Sequence, residues 1–174
     1  TPVDLTGKRV LVTGATGFVA QPIVEALSKD NEVFAGARYK NEEDREKIKS
    51  LGGIPVVLDL AAGDWSDLPE EIDYVLNLAV AKSGKWHIDL PVNGEGVGRL
   101  MMQFRDAEAF LHVSSTAVYE YAGHEPRSED SPLGDNHRNL FETYSISKIA
   151  AETVASFVAK EFEIPLTIAR LNVP

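Results

Sequence analysis

Apolar and polar positions fall into short blocks along this chain, and each block keeps one of two periods. Arg9–Thr13 is nearly all apolar and strand-forming, and the period changes immediately after it. From Phe18 onward a helix is expected, with Val19, Ile23, Val24 and Leu27 recurring on one face. Pro22 falls in its early turns and removes a backbone donor, which predicts a local irregularity there. Further strands are expected at Glu32–Ala37, Ile54–Leu58, Ile72–Leu78, Ala109–Ser114 and Leu166–Leu171. Helical patterns lie between them at Glu42–Leu51 (ended by Gly52-Gly53), Asn93–Arg105 and Phe141–Phe162. Glu120–Asn139 concentrates Gly, Pro, Ser and Asp and reads as a long functional loop. Apolar strands alternating with helices predict an α/β fold, a doubly wound parallel sheet covered on both faces.

The first strand–helix junction carries a chemical signal. Thr13-Gly14-Ala15-Thr16-Gly17 separates strand from helix, in the spacing G-x-x-G-x-x-A with Ala20 last. A strand, a glycine turn and a helix N-terminus in that order form a pocket for a pyrophosphate. Gly14 permits the sharp turn, and Gly17 removes a side chain where phosphates approach. Two glycines in a loop are common; their place between strand and helix gives them weight.

Three later positions extend this reading. The second strand runs into Arg38-Tyr39-Lys40, cationic and with no acid at its tip. An arginine there pairs with the 2′-phosphate of NADP, whereas a carboxylate would accept from the free 2′-hydroxyl of NAD. The plain alternative is a solvated surface arginine. Asp59, after the third strand, either accepts from the adenine amino group or caps the following turn. Tyr144 and Lys148 are four apart on a predicted helix and share a face. An ordinary phenol with a pKa of about 10 is almost never ionised at neutrality. A neighbouring ammonium and a nicotinamide cation together would favour its phenolate, letting it exchange a proton with a substrate hydroxyl. An isolated Y-x-x-x-K is more often a surface pair. Here it follows Val113-Ser114-Ser115-Thr116, where the fifth strand meets a hydroxyl cluster at the ligand-binding end of the sheet. Ser115 would polarise the reacting oxygen; otherwise it caps a turn.

Composition narrows the partners. At 174 residues one domain is expected. A net charge of −10 argues against nucleic acid and against an anionic membrane surface. There is no cysteine, so disulfides and thiolate metal sites are excluded. Neither a signal peptide nor an apolar run of about 20 residues is visible, so a cytoplasmic protein is expected. His87, His112, His124 and His137 share no metal-ligand spacing and read as structural or exposed; Trp65 and Trp86 read as packing or lid residues.

The ordered set of motifs resembles the extended short-chain dehydrogenase/reductases, the NAD(P)-dependent epimerase/dehydratase family. It comprises TGATGFVA from Thr13, NLAVAK at Asn77–Lys82, VNGEG around Asn93, HVSSTAVY at His112–Tyr119, YSISKIAAE at Tyr144–Glu152, and the final ARLNVP. The resemblance implies a Rossmann fold with Ser115, Tyr144 and Lys148 as the catalytic set, Lys148 also holding the nicotinamide ribose. It implies Gly14, Thr16, Gly17, Phe18 and Val19 at the pyrophosphate and Arg38 at the adenosine ribose. Asp59 and Leu60 would flank adenine, and Leu78, Ala79, Val80 and Lys82 would line the cofactor. Leu171, Asn172 and Val173 would approach the nicotinamide, and Asn93 would have a structural or water-relay duty. NADP is the expected cofactor, with NAD the alternative. The expected substrate is a small molecule, with a nucleotide sugar as one candidate, acted on by an epimerase or dehydratase; a ketone or aldehyde reductase using NADPH and a non-catalytic dinucleotide sensor are the rival readings. A homodimer packed through Asn93–Arg105 and Phe141–Phe162 is also implied. The family's substrate-binding C-terminal half would follow Pro174, so residues 1–174 are expected to be the N-terminal dinucleotide-binding domain of a longer protein, binding cofactor weakly alone. Glu120 departs from the family, which often has glycine after V-Y.

Overall fold

Six strands occupy Arg9–Thr13 (β1), Glu32–Ala37 (β2), Ile54–Val57 (β3), Tyr74–Asn77 (β4), Ala109–Ser115 (β5) and Leu166–Leu171 (β6). In the computed structural model, which describes residues 5–63 and 65–172, all pair in parallel in the order β3-β2-β1-β4-β5-β6. The order reverses direction between β1 and β4. In an open α/β sheet such a switch opens a crevice at the carboxyl ends of the strands. The fold is the doubly wound Rossmann type that the alternation predicts.

Each face of the sheet has its own apolar layer. Val10, Val12, Val33 and Ala35 pack beneath α1 (Ala20–Leu27) and α2 (Glu42–Ser50). Leu11, Val75 and Phe110 pack beneath α4 (Gly96–Gln103) and α5 (Tyr144–Glu161). Burying one such side chain is worth about 1.5–3 kcal/mol. Alternate residues of one strand therefore serve both layers, which is why β1 is apolar throughout.

One expectation about helices is met and another corrected. The helix expected from Phe18 is continuous only from Ala20, and the irregularity falls at Pro22 as expected: Gln21 donates to the Gly17 carbonyl and Val19 is already helical, but Pro22 has no N–H for the Phe18 carbonyl. The helix expected from Asn93 instead begins at α3 (Trp86–Leu90), passes through a π-turn (Pro91–Glu95) and continues as α4. Pro91 has no N–H for the regular ladder, and the Gly96 N–H donates to the Pro91 carbonyl five residues back. Glu120–Asn139 is irregular as expected, pinned by an antiparallel bridge between Tyr119 and Leu133 and by Arg170, which donates to the Glu129 carbonyl at 2.8 Å. Among the described residues, no helix is long and apolar enough to cross a membrane.

Candidate functional site

A trough runs along the carboxyl ends of the strands in two chambers of about 240 and 260 Å³. Gly14, Gly17, Leu78 and Val80 line both, so the glycine turn is its waist. Gly14 has φ +64°, and a Cβ there would lie 2.8 Å from the Ala79 backbone. Only glycine lets the β1 turn and the segment after β4 approach this closely. That segment is held by Thr13, whose hydroxyl donates to Asn77 Oδ1 at 2.5 Å and accepts from the N–H groups of Leu78 and Ala79 at 3.2 Å each.

The first chamber gathers Thr16, Arg38, Asp59, Leu60 and Ala79 around that waist. Arg38 is exposed at the end of β2. The next residue, Tyr39, takes a left-handed φ of 43°, buries its ring and donates its hydroxyl to the Ala35 carbonyl at 2.6 Å. Anchoring Tyr39 inward turns the chain and leaves Arg38 at the rim. Asp59 Oδ1 accepts from the Ala61 N–H at 3.0 Å, so it caps its turn while also lining the chamber.

The second chamber brings together Phe18, Val19, Lys82, Ser115, Tyr144, Lys148 and Leu171. Ser115 Oγ accepts from the Ala117 N–H at 3.1 Å, opening the 3-10 turn Thr116–Val118. Tyr144 is the first residue of α5 and half-buried. Its ring lies beneath the Lys82 ammonium (4.9 Å to the centroid), with Phe141 at 6.1 Å and His137 at 6.3 Å edge-on. Lys148 is buried one turn further on and donates from Nζ to the Val113 carbonyl at 2.7 Å. Burial pushes its ammonium down to about 8, against the opposing pull of Glu152. Asn172 lies apart, with Thr116 in a neighbouring polar depression, its Oδ1 accepting from the Thr116 hydroxyl at 3.3 Å. Val173 falls outside the described residues.

Residues 10–173 match the NAD dependent epimerase/dehydratase family. The chain belongs to it. Among its relatives is the dTDP-D-glucose 4,6-dehydratase of Bos taurus, 28% identical over 97% of this chain and 51% of that protein. A hybrid PKS-NRPS synthetase of Hapsidospora irregularis is 31% identical over 98% of this chain, which spans 4% of that protein. The fold matches the UDP-glucuronic acid 4-epimerase of Bacillus cereus, solved with UDP-glucuronic acid and NAD, at a TM-score of 0.78. That alignment has 24% identity and covers 93% of this chain and 55% of the epimerase chain. The chain thus spans about half the length of the dehydratase and epimerase relatives.

In this epimerase/dehydratase-family chain two polar side chains brace the second chamber, and the motifs point to only one of them. Asn93, in the π-turn, accepts from the Ala81 N–H at 2.8 Å and donates to the Ala81 carbonyl and Ser147 Oγ at 2.9 Å each. Asp89, fully buried on α3, reaches Ser83, Gly84 and Thr143. Asn93 stands in the VNGEG motif; Asp89, inside the unremarkable run WHIDL, has no such signal. Ile88 and Val92 also line the first chamber, and reading the helical pattern back through Pro91 would have found them. His112 is buried beside these elements, its Nδ1 3.2 Å from Asn77 Nδ2 and its Nε2 without a partner among the described residues. Burial, with the nearby Lys148 ammonium, pushes its imidazole down to about 3.

Proposed function

We propose that the trough holds a nicotinamide dinucleotide and that this chain is the dinucleotide-binding domain of an enzyme acting on a small molecule by hydride transfer at a carbinol or ketone carbon. A nucleotide sugar is the substrate class we favour, and epimerisation or dehydration the reaction. The observation that carries the reading is the cradle at Gly14. A side chain there would meet the Ala79 backbone at 2.8 Å, and the space left open continues to Ser115, Tyr144 and Lys148. Gly14, Thr16, Gly17, Phe18 and Val19 would hold the pyrophosphate, Arg38 the adenosine ribose, and Lys148 the nicotinamide ribose. When bound, the nicotinamide supplies a carbon that accepts and returns hydride. Tyr144 exchanges a proton with the substrate hydroxyl, and Ser115, whose oxygen already accepts from Ala117, turns its own hydrogen toward the reacting oxygen.

The dehydratase and epimerase relatives support nucleotide-sugar chemistry. A net reductase using NADPH is the second reading, favoured by Arg38 exposed at the rim with no acid beside it on β2. The two differ in turnover: an epimerase regenerates its cofactor, whereas a reductase consumes NADPH absorbance at about 340 nm. Titration with NADP and NAD tests the cofactor assignment. Arg38→Ala is expected to weaken NADP about tenfold and leave NAD nearly unchanged, as for loss of one charge-assisted contact. Equal affinities untouched by the substitution would overturn the NADP assignment. Tyr144→Phe is expected to retain cofactor binding and lose roughly 10²–10⁴-fold in turnover. Full retention of activity would refute the acid/base role, and a cellular effect without turnover would favour a dinucleotide sensor. We also propose that two copies pair through α4 and α5.

A further inference from the structure

We propose that Asp89 is a positioning residue that holds Lys82 against Tyr144. The inference rests on the reading of Tyr144 as the acid/base of this site.

The Asp89 carboxylate is fully buried, yet it faces no cation among the described residues. It is instead surrounded by donors. Oδ1 accepts from the Ser83 N–H at 2.9 Å and the Ser83 hydroxyl at 2.7 Å. Oδ2 accepts from the Gly84 N–H at 3.0 Å and the Thr143 hydroxyl at 2.5 Å. Burial pushes its carboxyl up, but the donors from Thr143, Ser83 and Gly84 outweigh that and hold it below the usual carboxylate range. A buried anion with four donors is fixed in place, because losing any one leaves charge unsolvated in the interior.

The identity of those donors gives the anchor its consequence. Ser83 and Gly84 directly follow Lys82; Thr143 directly precedes Tyr144. One carboxylate therefore ties together the two backbones whose side chains meet 4.9 Å apart at the mouth of the second chamber. The other flank of each segment is tied as well, by Asn93 to Ala81 before Lys82 and to Ser147 after Tyr144. Lys82 is exposed and its ammonium makes no ion pair among the described residues. A four-carbon side chain of this kind loses substantial rotamer entropy when held over one ring. Fixing its backbone on both sides reduces the freedom it must give up. The neighbouring charge at the phenol thus depends on a residue that lines neither chamber.

The test reads the pairing of Lys82 with Tyr144 directly and needs neither substrate nor cofactor. In protein labelled with ¹³C at the lysine ε-carbon, the Lys82 signal is assigned by its disappearance in Lys82→Arg. The aromatic ring is expected to shift its ε-protons upfield, and Tyr144→Ala to abolish that shift. Thr143→Val removes one donor at nearly constant volume and is expected to lose most of the upfield shift, whereas Thr143→Ser keeps it. Asp89→Asn is expected to lose it as fully as Tyr144→Ala. If Asp89→Asn does not fold, the Thr143 pair decides alone. A folded Thr143→Val protein with lower melting temperature and an unmoved Lys82 signal would make the cluster merely structural and overturn the proposal. So would a wild-type signal without ring shift. Cofactor titration of the wild-type protein is a separate readout, so failure to bind NADP or NAD, which defeats the functional reading, is distinguished from failure of Asp89 to hold Lys82 against Tyr144.

Discussion

At the scale of single residues, His112 makes the clearest demand on conditions. Its imidazole is buried on β5 in register with Asn77, accepts a hydrogen bond at Nδ1 and has no partner at Nε2 among the described residues. The folded chain therefore resists protonating it, whereas the unfolded chain protonates it near 6.5. A depressed histidine contributes stability fully present above the unfolded value and lost as pH falls toward about 3. Between those limits the loss approaches about 1.4 kcal/mol per pH unit. Denaturant midpoints at pH 7.5 and 5.0 should fall by an amount equivalent to roughly 2 kcal/mol in the wild type. His112→Gln, which keeps an acceptor for Asn77, should remove most of that difference. An unchanged pH dependence would mean that the imidazole titrates normally. Its sequence context marked it only as one of four scattered histidines. The residues legible beforehand were those whose chemistry has a local signature: Gly14 and Gly17 between strand and helix, Arg38 at a strand tip, Tyr144 and Lys148 one turn apart. Asp89 draws three of its four donors from Ser83 and Gly84, six and five residues back, in a run that carries no motif. Its Thr143 contact and the surroundings of His112 come from partners distant in sequence that no spacing encodes.

At the scale of elements, strands were legible to within two residues because their apolar runs are short and bounded by turns. The helices were less so wherever proline intervened. Pro22 leaves out one rung and delays the start of α1 to Ala20, and Pro91 is absorbed by a π-turn instead of stopping a helix. That π-turn leads into α4, whose close packing on α5 depends on glycine. A Cβ on Gly98 would lie 2.6 Å from Val154 Cγ1, inside any normal contact distance. Gly98→Ala should improve intrinsic helix propensity by nearly 1 kcal/mol. The clash is expected to win, with overpacking costing about 1–3 kcal/mol. Combining it with Val154→Ala should recover much of that cost, since the two changes meet at one point and are not additive. Thermal melts of both single variants and the double variant measure the coupling. Simple additivity would show that α4 and α5 move apart freely.

At the scale of the whole molecule, the two apolar layers leave one pair of helices with hydrophobic side chains still facing outward. Met102 on α4 is 52% exposed, and Phe157 on α5 is 64% exposed. Neither is needed by the sheet, whose own layer is completed by Leu100, Met101, Ala151 and Ala155 from the same helices. A second copy related by a two-fold axis would cover the same patch on both partners, so one substitution alters both sides of the interface at once. Burying a phenylalanine is worth about 1.5–3 kcal/mol, and removing two of them corresponds to a rise of about 10²-fold or more in dimer Kd. Phe157→Glu should therefore convert a dimer to monomer in sedimentation velocity at micromolar concentration. Its circular dichroism should match the wild type, because Phe157 is mostly exposed and outside both apolar layers. A wild-type protein that sediments as a monomer across the concentration range would refute the pairing. The trough would stand regardless, since α5 lines it through Tyr144 and Lys148 in its first turns, more than two turns from Phe157, and its lining comes from one chain.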